Sequence, residues 1–292
     1  MKLWQLTFCA MALWTAAVLP GKAQTKAAPP SSVEFELMTW PELKKAIHEE
    51  GKTTVLVFNG GTEQRGPQGV AGAHTFVARH LGKEIAEKLG NAIVAPILPY
   101  SVNNASAELP GTIGVSGPLF ASINEEVTEQ LIVNGFRNVV LMGDHGGSQR
   151  ELSEVAKKLD AKYSSQGIHV VYCDDVYAKA GTDFNQWLVK NGYPVGSHAS
   201  IKDTSELLYI EGDQNWIRKE LLPTAVGNVR KPGEPRDPNA KRVNNGISGD
   251  ARRSTPEIGK VISDLKVEYA VAQIRQLLGT KTAAVATKDA SK

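Results

Sequence analysis

Two adjoining stretches decide the fold: TTVLVF at residues 53–58 and GGTEQRGPQGVAGAH at residues 60–74. The first is apolar and β-branched, which is typical of a strand buried on both faces of a parallel sheet. The second contains five glycines, so its backbone can turn sharply and approach a bound group closely. Open α/β sheets bind ligands in such loops, at the carboxyl ends of strands. We therefore interpret this loop as half of an active site; the alternative is a polar turn whose Glu63 and His74 are only solvated.

The rest of the chain repeats the strand and helix pattern. Apolar runs predict strands at residues 53–58, 92–98, 138–142 and 168–173. Helices are predicted at residues 41–50, 75–89, 118–134 and 149–166, from about residue 200, and at 255–278. Strands alternating with helical crossovers predict an α/β fold of three α-β-α layers, with a mainly parallel central sheet of about four strands.

The amino-terminal segment has the character of a secretory signal peptide. Lys2 is followed by an apolar stretch, and small residues precede a predicted cleavage near Ala23. A retained membrane anchor is the alternative, although Gln5 and Thr7 interrupt the run. We expect residues 1–23 to be removed, 24–35 to be a disordered leader, 36–279 to form one domain and 280–292 to be a disordered tail. The protein is then exported, to the periplasm or outside the cell, without membrane attachment.

Charge and cysteine content exclude several classes of function. Cleavage removes Lys2 and Lys22 and no acid, so the formal charge of +2 falls to neutral, which argues against a nucleic-acid partner. It also removes Cys9 and leaves Cys173 as the remaining cysteine, so the exported chain has no intramolecular disulfide. Cys173 ends an apolar run, where a buried structural cysteine is favoured over a nucleophile.

Three histidines, at positions 74, 145 and 198, lie in predicted loops beside glycines or after strands. Loops that leave the carboxyl edge of one parallel sheet converge, so Glu63 and His74 can meet His145. One carboxylate and two imidazoles suit a divalent transition metal such as zinc or iron. The sequence therefore predicts a metal site formed by Glu63, His74 and His145.

Six segments, in order from about residue 39 to residue 278, resemble motifs of the creatininase (creatinine amidohydrolase) family. Its first motif, Gly-Ser-x-Glu-Gln-His-Gly-Pro-His closing on Thr-Asp, is similar to residues 60–74. The other matches are Phe-Pro-Gly-Thr at 109–112, Asn-Gly-His-Gly-Gly-Asn at 143–148, His-Ala-x-x-x-Glu-Thr-Ser at 198–205, Gly-x-x-Gly-Asp at 246–250 and Thr-x-Glu-x-Gly at 255–259. The resemblance implies a metal-dependent hydrolase of cyclic amides or related carbon–nitrogen bonds.

The departures from these motifs concern the metal ligands. Family members hold two metals with Glu, His and a bridging Asp from the first motif, a His from the glycine loop and one further acid. Here the first-motif histidines correspond to Arg65 and Gln68, and the bridging Asp corresponds to His74. The further acid corresponds to Gly147 or Ile201. The resemblance thus implies that one metal has lost its ligands, while Glu63, His74 and His145 still hold the other.

The resemblance also suggests roles around that metal, with zinc favoured and iron or manganese as alternatives. Asp203 stands at the position of a catalytic acid, so it is the candidate for proton transfer, assisted by His198. The alternative for Asp203 is a capping box with Ser200, in which it only closes a helix start. Arg65 places a positive charge where the second metal sat and can polarise a carbonyl. The alternative is that Arg65 pairs with Glu63 and the site is inactive.

Substrate contacts are expected from Gln68, from the backbone amides of Gly146 and Gly147 as oxyanion donors, and from Trp187 as a cavity wall. Trp187 fits the hydrophobic core equally well. The expected substrate is a small molecule. The rival hypotheses are a catalytically degenerate family member that binds a small ligand, and a structural protein. Family members often form hexamers, so the resemblance also implies a homo-oligomer.

Overall fold

The computed structural model of the chain describes residues 32–103, 108–229 and 243–289. Its centre is a sheet in the order β2-β1-β3-β4, in which all neighbouring strands are parallel. The strands are β1 (Thr54–Asn59), β2 (Ala92–Val94), β3 (Asn138–Gly143) and β4 (His169–Tyr172). The predicted α/β class with a parallel four-stranded sheet is confirmed.

Each face of the sheet has its own apolar core. All six residues of β1 are buried, and successive side chains point to opposite faces. Leu56 and Val140 belong to one core, whereas Val55 and Val139 belong to the other. A sheet that is apolar on both faces requires helices on both sides, which gives the three layers.

Seven helices, numbered in chain order, surround the described sheet. Leu81 and Ile274 place α2 and α7 on the face of Leu56, whereas Ile47, Phe120 and Leu152 place α1, α3 and α4 on the opposite face. Helices α5 and α6 pack against α7. The bounds are α1 (Trp40–His48), α2 (Ala73–Leu89), α3 (Gly117–Val133), α4 (Gln149–Tyr163), α5 (Ala178–Lys190), α6 (Ile201–Ile210) and α7 (Pro256–Asp289).

The structure differs from the sequence prediction at three elements. Strand β2 ends at Val94 instead of residue 98, because Pro96 has no N–H to donate to a neighbouring strand. Helix α5 occupies residues 178–190, where no element was predicted. Helix α7 continues to Asp289, although we expected an unstructured tail from residue 280. Its last turns are rich in alanine, whose helix propensity lets a helix extend without an apolar stripe.

The predicted signal peptide, residues 1–23, and most of the predicted leader lie outside the described residues. Residues 32–35 of that leader belong to the fold: Val33 is buried, and its carbonyl accepts a hydrogen bond of 2.7 Å from the amide of Val94. Over the described ranges, no helix combines the length and apolar character that crossing a bilayer requires.

Candidate active site

A cavity of about 850 Å³ lies at the carboxyl edge of the sheet. The last residues of β1 and β3, Asn59 and Gly143, are register partners, so the loops that follow these strands start side by side. Glu63 comes from the first loop and His145 from the second, while His74 is the second residue of α2. The segment before α6 and the first turn of that helix add to the lining, as do parts of residues 102–109 and 243–248. The topology therefore brings the predicted site residues to one place.

Glu63 is the centre of this site. It is almost wholly buried, and its Oε2 lies 3.3 Å from Nε2 of His74, 3.7 Å from Nε2 of His145 and 3.5 Å from Nδ1 of His198. Burial alone would raise the pKa of Glu63, but its contacts with the imidazoles of His145 and His74 and the nearby guanidinium charge of Arg65 hold its pKa far below the ordinary value. Glu63 is therefore ionised at neutral pH and available to a cation.

Glu63, His74 and His145 converge as a metal site would require. One ligand atom from each of these residues lies within 4.8 Å of the other two. A carboxylate oxygen and two imidazole nitrogens are donors that zinc, iron and manganese accept, and three protein ligands leave a coordination position open. Both the types of donor atom and their close approach therefore fit one divalent transition metal.

Arg65 is buried beside this triad and faces the cavity. Its Nη1 donates to Oδ2 of Asp203 at 3.0 Å, and its Nη2 donates to Nε2 of His74. Nη2 is 3.8 Å from Oε2 of Glu63, so the close carboxylate partner of Arg65 is Asp203. A guanidinium has only donors, so a metal can reach Nε2 of His74 only after Arg65 withdraws from it.

Asp203 lies in the first turn of α6 and does not close the helix start. Ser200 is the N-cap residue, but its hydroxyl has no hydrogen-bond partner within the described part of the chain. The Asp203 carboxylate instead turns toward Arg65. Burial would raise the pKa of Asp203, but the positive charges of Arg65 and Lys202 hold it below the ordinary value. Asp203 is thus a carboxylate at neutral pH and can accept a proton rather than donate one.

The glycine loop after β3 orients His145. The backbone amide of Gly147 donates to Nδ1 of His145 at 3.1 Å, and the carbonyl of His145 accepts from Nε2 of Gln149 at 2.8 Å. Gly146 and Gly147 both line the cavity. Because the amide of Gly147 is directed at His145, it cannot serve at the same time as the predicted oxyanion donor.

His198 reaches the site from a strained backbone segment. Its Nε2 lies 2.9 Å from the carbonyl oxygen of Gln64, and Nδ1 faces Glu63. Desolvation, followed by the charge of Arg65, lowers the pKa of His198. The next residue, Ala199, has φ of 49°, a left-handed conformation that non-glycine residues rarely adopt. Such strain is often retained where a side chain must be aimed at a functional site.

The sequence pattern of the creatininase family, described as creatinine amidohydrolase, matches residues 36–274. This chain belongs to the creatininase family. The resemblance drawn from its motifs is confirmed.

Solved members of the creatininase family share the fold of this chain. A creatinine amidohydrolase structure has a TM-score of 0.67 and 22% identity, covering 85% of this chain and 98% of that chain. A creatininase variant complexed with creatine also gives a TM-score of 0.67 at 22% identity, covering 85% of this chain and 99% of that chain. The 3-dehydro-scyllo-inosose hydrolase of Thermotoga maritima is 26% identical over 121 residues, which are 40% of this chain and 37% of that relative. The match thus spans little more than a third of that curated relative.

Two predicted substrate-binding residues of this creatininase-family chain lie away from the described cavity lining. Gln68 is fully buried, and its Nε2 donates to the carbonyl of Ala199 at 2.9 Å and to the hydroxyl of Thr204 at 3.2 Å. Trp187 is partly buried and stacks on Phe184 of an apolar cluster, with ring centroids 5.7 Å apart. Gln68 therefore fixes the backbone next to His198, and Trp187 packs against the apolar cluster of Phe184.

The structure adds three buried charged residues that the sequence reasoning missed. Nζ of Lys266 donates to Oδ1 of Asp144 at 2.6 Å and to Oε2 of Glu206 at 2.7 Å. The other carboxylate oxygen of Asp144, Oδ2, lies 2.6 Å from Nδ1 of His74. This charged chain therefore connects α6 and α7 to the predicted metal ligand.

Burial and mutual charge set the protonation of these three residues. Burial would lower the pKa of Lys266, but the two carboxylates raise it well above the ordinary value. Burial likewise opposes ionisation of Asp144, yet Lys266 and His74 hold its pKa far below the ordinary value. For Glu206 burial dominates and raises the pKa. Lys266 and Asp144 are thus a buried ion pair, with Glu206 as the more readily protonated partner.

Two signals in the sequence could have indicated this cluster. Residues 258, 262, 266, 270 and 274 recur every four positions on the buried side of α7, and Lys266 is the one charged side chain among them. A lysine is almost never buried without a partner, so its register predicts a carboxylate across the helix interface. Asp144 is the second signal, because it stands where the family motif has glycine.

Proposed function

We propose that this protein is a metal-dependent hydrolase that cleaves a carbon–nitrogen bond, in a cyclic amide or a related small molecule, with one divalent metal. The observation that carries the proposal is the convergence of Glu63, His74 and His145, within 4.8 Å, at the cavity. Family membership supports the reaction class.

The residues that stand at the family's ligand positions for a second metal support binding of a single metal. Arg65 is a permanent cation and cannot be a ligand. Ile201 is fully buried in an apolar cluster, and Gly147 has no side chain. Solved creatininases include a manganese form and a form with two zinc ions. For this chain we favour zinc, with iron or manganese as the alternatives, because imidazole and carboxylate donors suit all three.

A divalent metal held by Glu63, His74 and His145 would activate water and polarise a carbonyl oxygen. The protein's own groups would orient the substrate and move protons beside it. Arg65 offers a fixed positive charge to a developing oxyanion once it leaves His74. Asp203 is the group we propose to accept a proton from the attacking water, because Arg65 orients its carboxylate at the cavity. His198 keeps its ring orientation through Gln64 and can assist that transfer.

The cavity favours a polar small substrate. Its lining includes many uncharged polar side chains, among them Asn103, Ser197, Asn228, Asn244 and Ser248. Amide and hydroxyl side chains of this kind recognise carbonyl, amide and hydroxyl groups through paired hydrogen bonds. The neutral charge calculated for the exported chain disfavours nucleic acid as a partner.

A second candidate is a family member that binds a small ligand without turnover. The observation that favours it is the contact between Arg65 and His74, which places a guanidinium on one of the three proposed donor atoms. If that contact persists in solution when metal is supplied, the cation site is blocked and hydrolysis is lost. Binding of small amides would then stabilise the protein against heating without any product.

The test is hydrolysis of a panel of cyclic amides and ureides by metal-loaded protein. The key variant is Glu63→Gln, and the matched control is Glu151→Gln, which changes another buried acid that is paired with Arg150 at 2.7 Å outside the cavity. We expect turnover in the wild type and the control, and none in Glu63→Gln. Ligand-dependent thermal stabilisation without turnover in the wild type would favour the binding protein.

Export and assembly are separate proposals. We propose that residues 1–23 direct export and are removed, because they combine a basic start, an apolar run and small residues near the cleavage position. Amino-terminal sequencing of protein from the periplasm or culture medium should begin near residue 24.

We also propose a homo-oligomer, by family membership. Light scattering of the purified protein should give a mass at least twice that of one chain.

A further inference from the structure

We infer that Asp144, held in place by Lys266, is a positioning residue that fixes the tautomer of His74 so that Nε2 presents a lone pair to the metal. The consequence for metal binding rests on the proposed function. The tautomer itself is a property of the metal-free protein. Asp144 lines the cavity floor behind His74 and belongs to no ligand position of the family motif.

Two contacts on opposite sides of the His74 ring define the tautomer. Oδ2 of Asp144 lies 2.6 Å from Nδ1 and acts as an acceptor, because the other oxygen of this carboxylate is ion-paired with the Lys266 ammonium at 2.6 Å. Nη2 of Arg65, at Nε2, can only donate. Oε2 of Glu63 also lies near Nε2, at 3.3 Å, but the Arg65 donor is closer, so the neutral ring fits this arrangement with the proton on Nδ1 and the lone pair on Nε2. A carboxylate behind a metal-ligating histidine has this effect in many metalloproteins.

Lys266 determines which oxygen of Asp144 is available. Its ammonium holds Oδ1 at 2.6 Å and also binds Glu206, so the carboxylate of Asp144 is clamped with Oδ2 toward His74. All of these groups are buried, and a buried network of this kind allows few alternative arrangements. In this chain, the exchange of the family's bridging Asp for His74 therefore coincides with a carboxylate placed directly behind the new imidazole.

The clamp makes the variant Asp144→Asn unusually informative. Lys266 can only donate, so it should retain the amide oxygen and leave the NH₂ group pointing at Nδ1 of His74. Nδ1 must then accept, and the proton moves to Nε2; Arg65 must withdraw from Nε2, and Oε2 of Glu63, 3.3 Å away, becomes the acceptor. The ring would lose the lone pair that a metal needs.

The double variant Asp144→Asn, Lys266→Met provides the matched control. Without Lys266 the amide is free to rotate and to present its oxygen to Nδ1, which restores the original tautomer. Lys266→Met alone retains the Asp144 carboxylate and should also keep the proton on Nδ1. If Asp144 had a purely structural role, the double variant would instead show the most disturbed structure around His74 of the three variants.

The experiment is long-range ¹H–¹⁵N correlation NMR of the imidazole nitrogens in metal-free protein, with His74→Gln used to assign the His74 signals. We expect an Nδ1-protonated ring in the wild type, a shift to the Nε2-protonated ring in Asp144→Asn and a return in the double variant. Zinc titration should show 10- to 100-fold weaker affinity for Asp144→Asn, the usual loss when the partner of a metal-bound histidine is changed.

An unchanged Nδ1-protonated ring in Asp144→Asn would overturn the inference, since Arg65 alone would then set the tautomer. If Asp144→Asn does not fold, Asp144→Ala replaces it: both tautomers should be populated, and a wholly Nδ1-protonated ring there is equally contradictory. A wild type that binds no zinc but shows the expected tautomers would refute the metal site and leave the role of Asp144 standing.

Discussion

Replacing Lys266 with methionine tests how much of the stability depends on the buried charges behind the site. The Nζ of Lys266 lies 2.6 Å from Asp144 and 2.7 Å from Glu206, and its side chain is only 6% exposed. Methionine fills similar space without charge, so Lys266→Met leaves two carboxylates facing each other in the interior.

The expected loss follows from the cost of a buried charge without its partner. Removing one member of a buried ion pair typically costs about 3–5 kcal/mol. Because burial already raises the pKa of Glu206, this carboxyl can take up a proton when Lys266 is absent, so we expect the lower end, about 3 kcal/mol. At roughly 2–4 °C per kcal/mol for a domain of this size, the melting temperature should fall by about 6–12 °C.

The matched control is Lys260→Met on the same helix. Nζ of Lys260 also lies 2.6 Å from a carboxylate, that of Asp264, but its side chain is 55% exposed. Exposed ion pairs contribute little, so this variant should melt like the wild type. Thermal unfolding followed by circular dichroism at pH 7, in metal-free buffer, measures both. Equal melting temperatures for the two variants would refute the reasoning that burial makes the Lys266 cluster important.

Two further predictions concern Asp203 and a pair of glycines. Asp203→Asn should destabilise the metal-free protein by about 2 kcal/mol at pH 7, because it loses a charged hydrogen bond with Arg65. The pKa of Asp203 is lowered in the fold, so its contribution is present above the ordinary value of 3.8 and is lost as the pH falls through the lowered pKa; urea unfolding at several pH values should show the two proteins converging in acid. Gly114→Ala should cost about 3 kcal/mol, since the new Cβ would overlap the carbonyl oxygen of Asn103. Gly181→Ala, in open space within α5, should instead stabilise by up to about 1 kcal/mol, and thermal melts that rank these two glycine variants the other way would contradict the packing described for them.

The sheet and the proposed ligand triad are predictable because they depend on local patterns. Apolar runs identify buried strands, and parallel topology then brings the loops after β1 and β3 together, so that Glu63 and His145 meet. Helix α5 was also recoverable: Ala180, Phe184 and Leu188 recur every four residues and are fully buried. The aromatic residues in that segment instead led to Trp187 being considered as a cavity wall.

Which residue pairs with each buried charged side chain could not be predicted, because the pairing depends on contacts between distant segments. Arg65 contacts Asp203, 138 positions away, more closely than Glu63. Lys266 is separated from Asp144 by 122 positions, and periodicity in α7 assigns only its apolar positions. Gln68 was placed at the cavity by its motif, but backbone geometry turns it toward Thr204. Motif position indicates where a residue is in the chain, and only packing determines what it touches.

The most direct test of the central claim is the metal content of the mature protein. Plasma emission spectrometry should be applied to chelator-free wild type after incubation with zinc, manganese or iron(II), beside His145→Ala. The control His169→Ala removes another buried histidine, on β4 and outside the cavity. A single site formed by Glu63, His74 and His145 predicts about one equivalent of metal in the wild type and in His169→Ala, and loss of that metal in His145→Ala. Two equivalents, or none with any of the three metals, would contradict it.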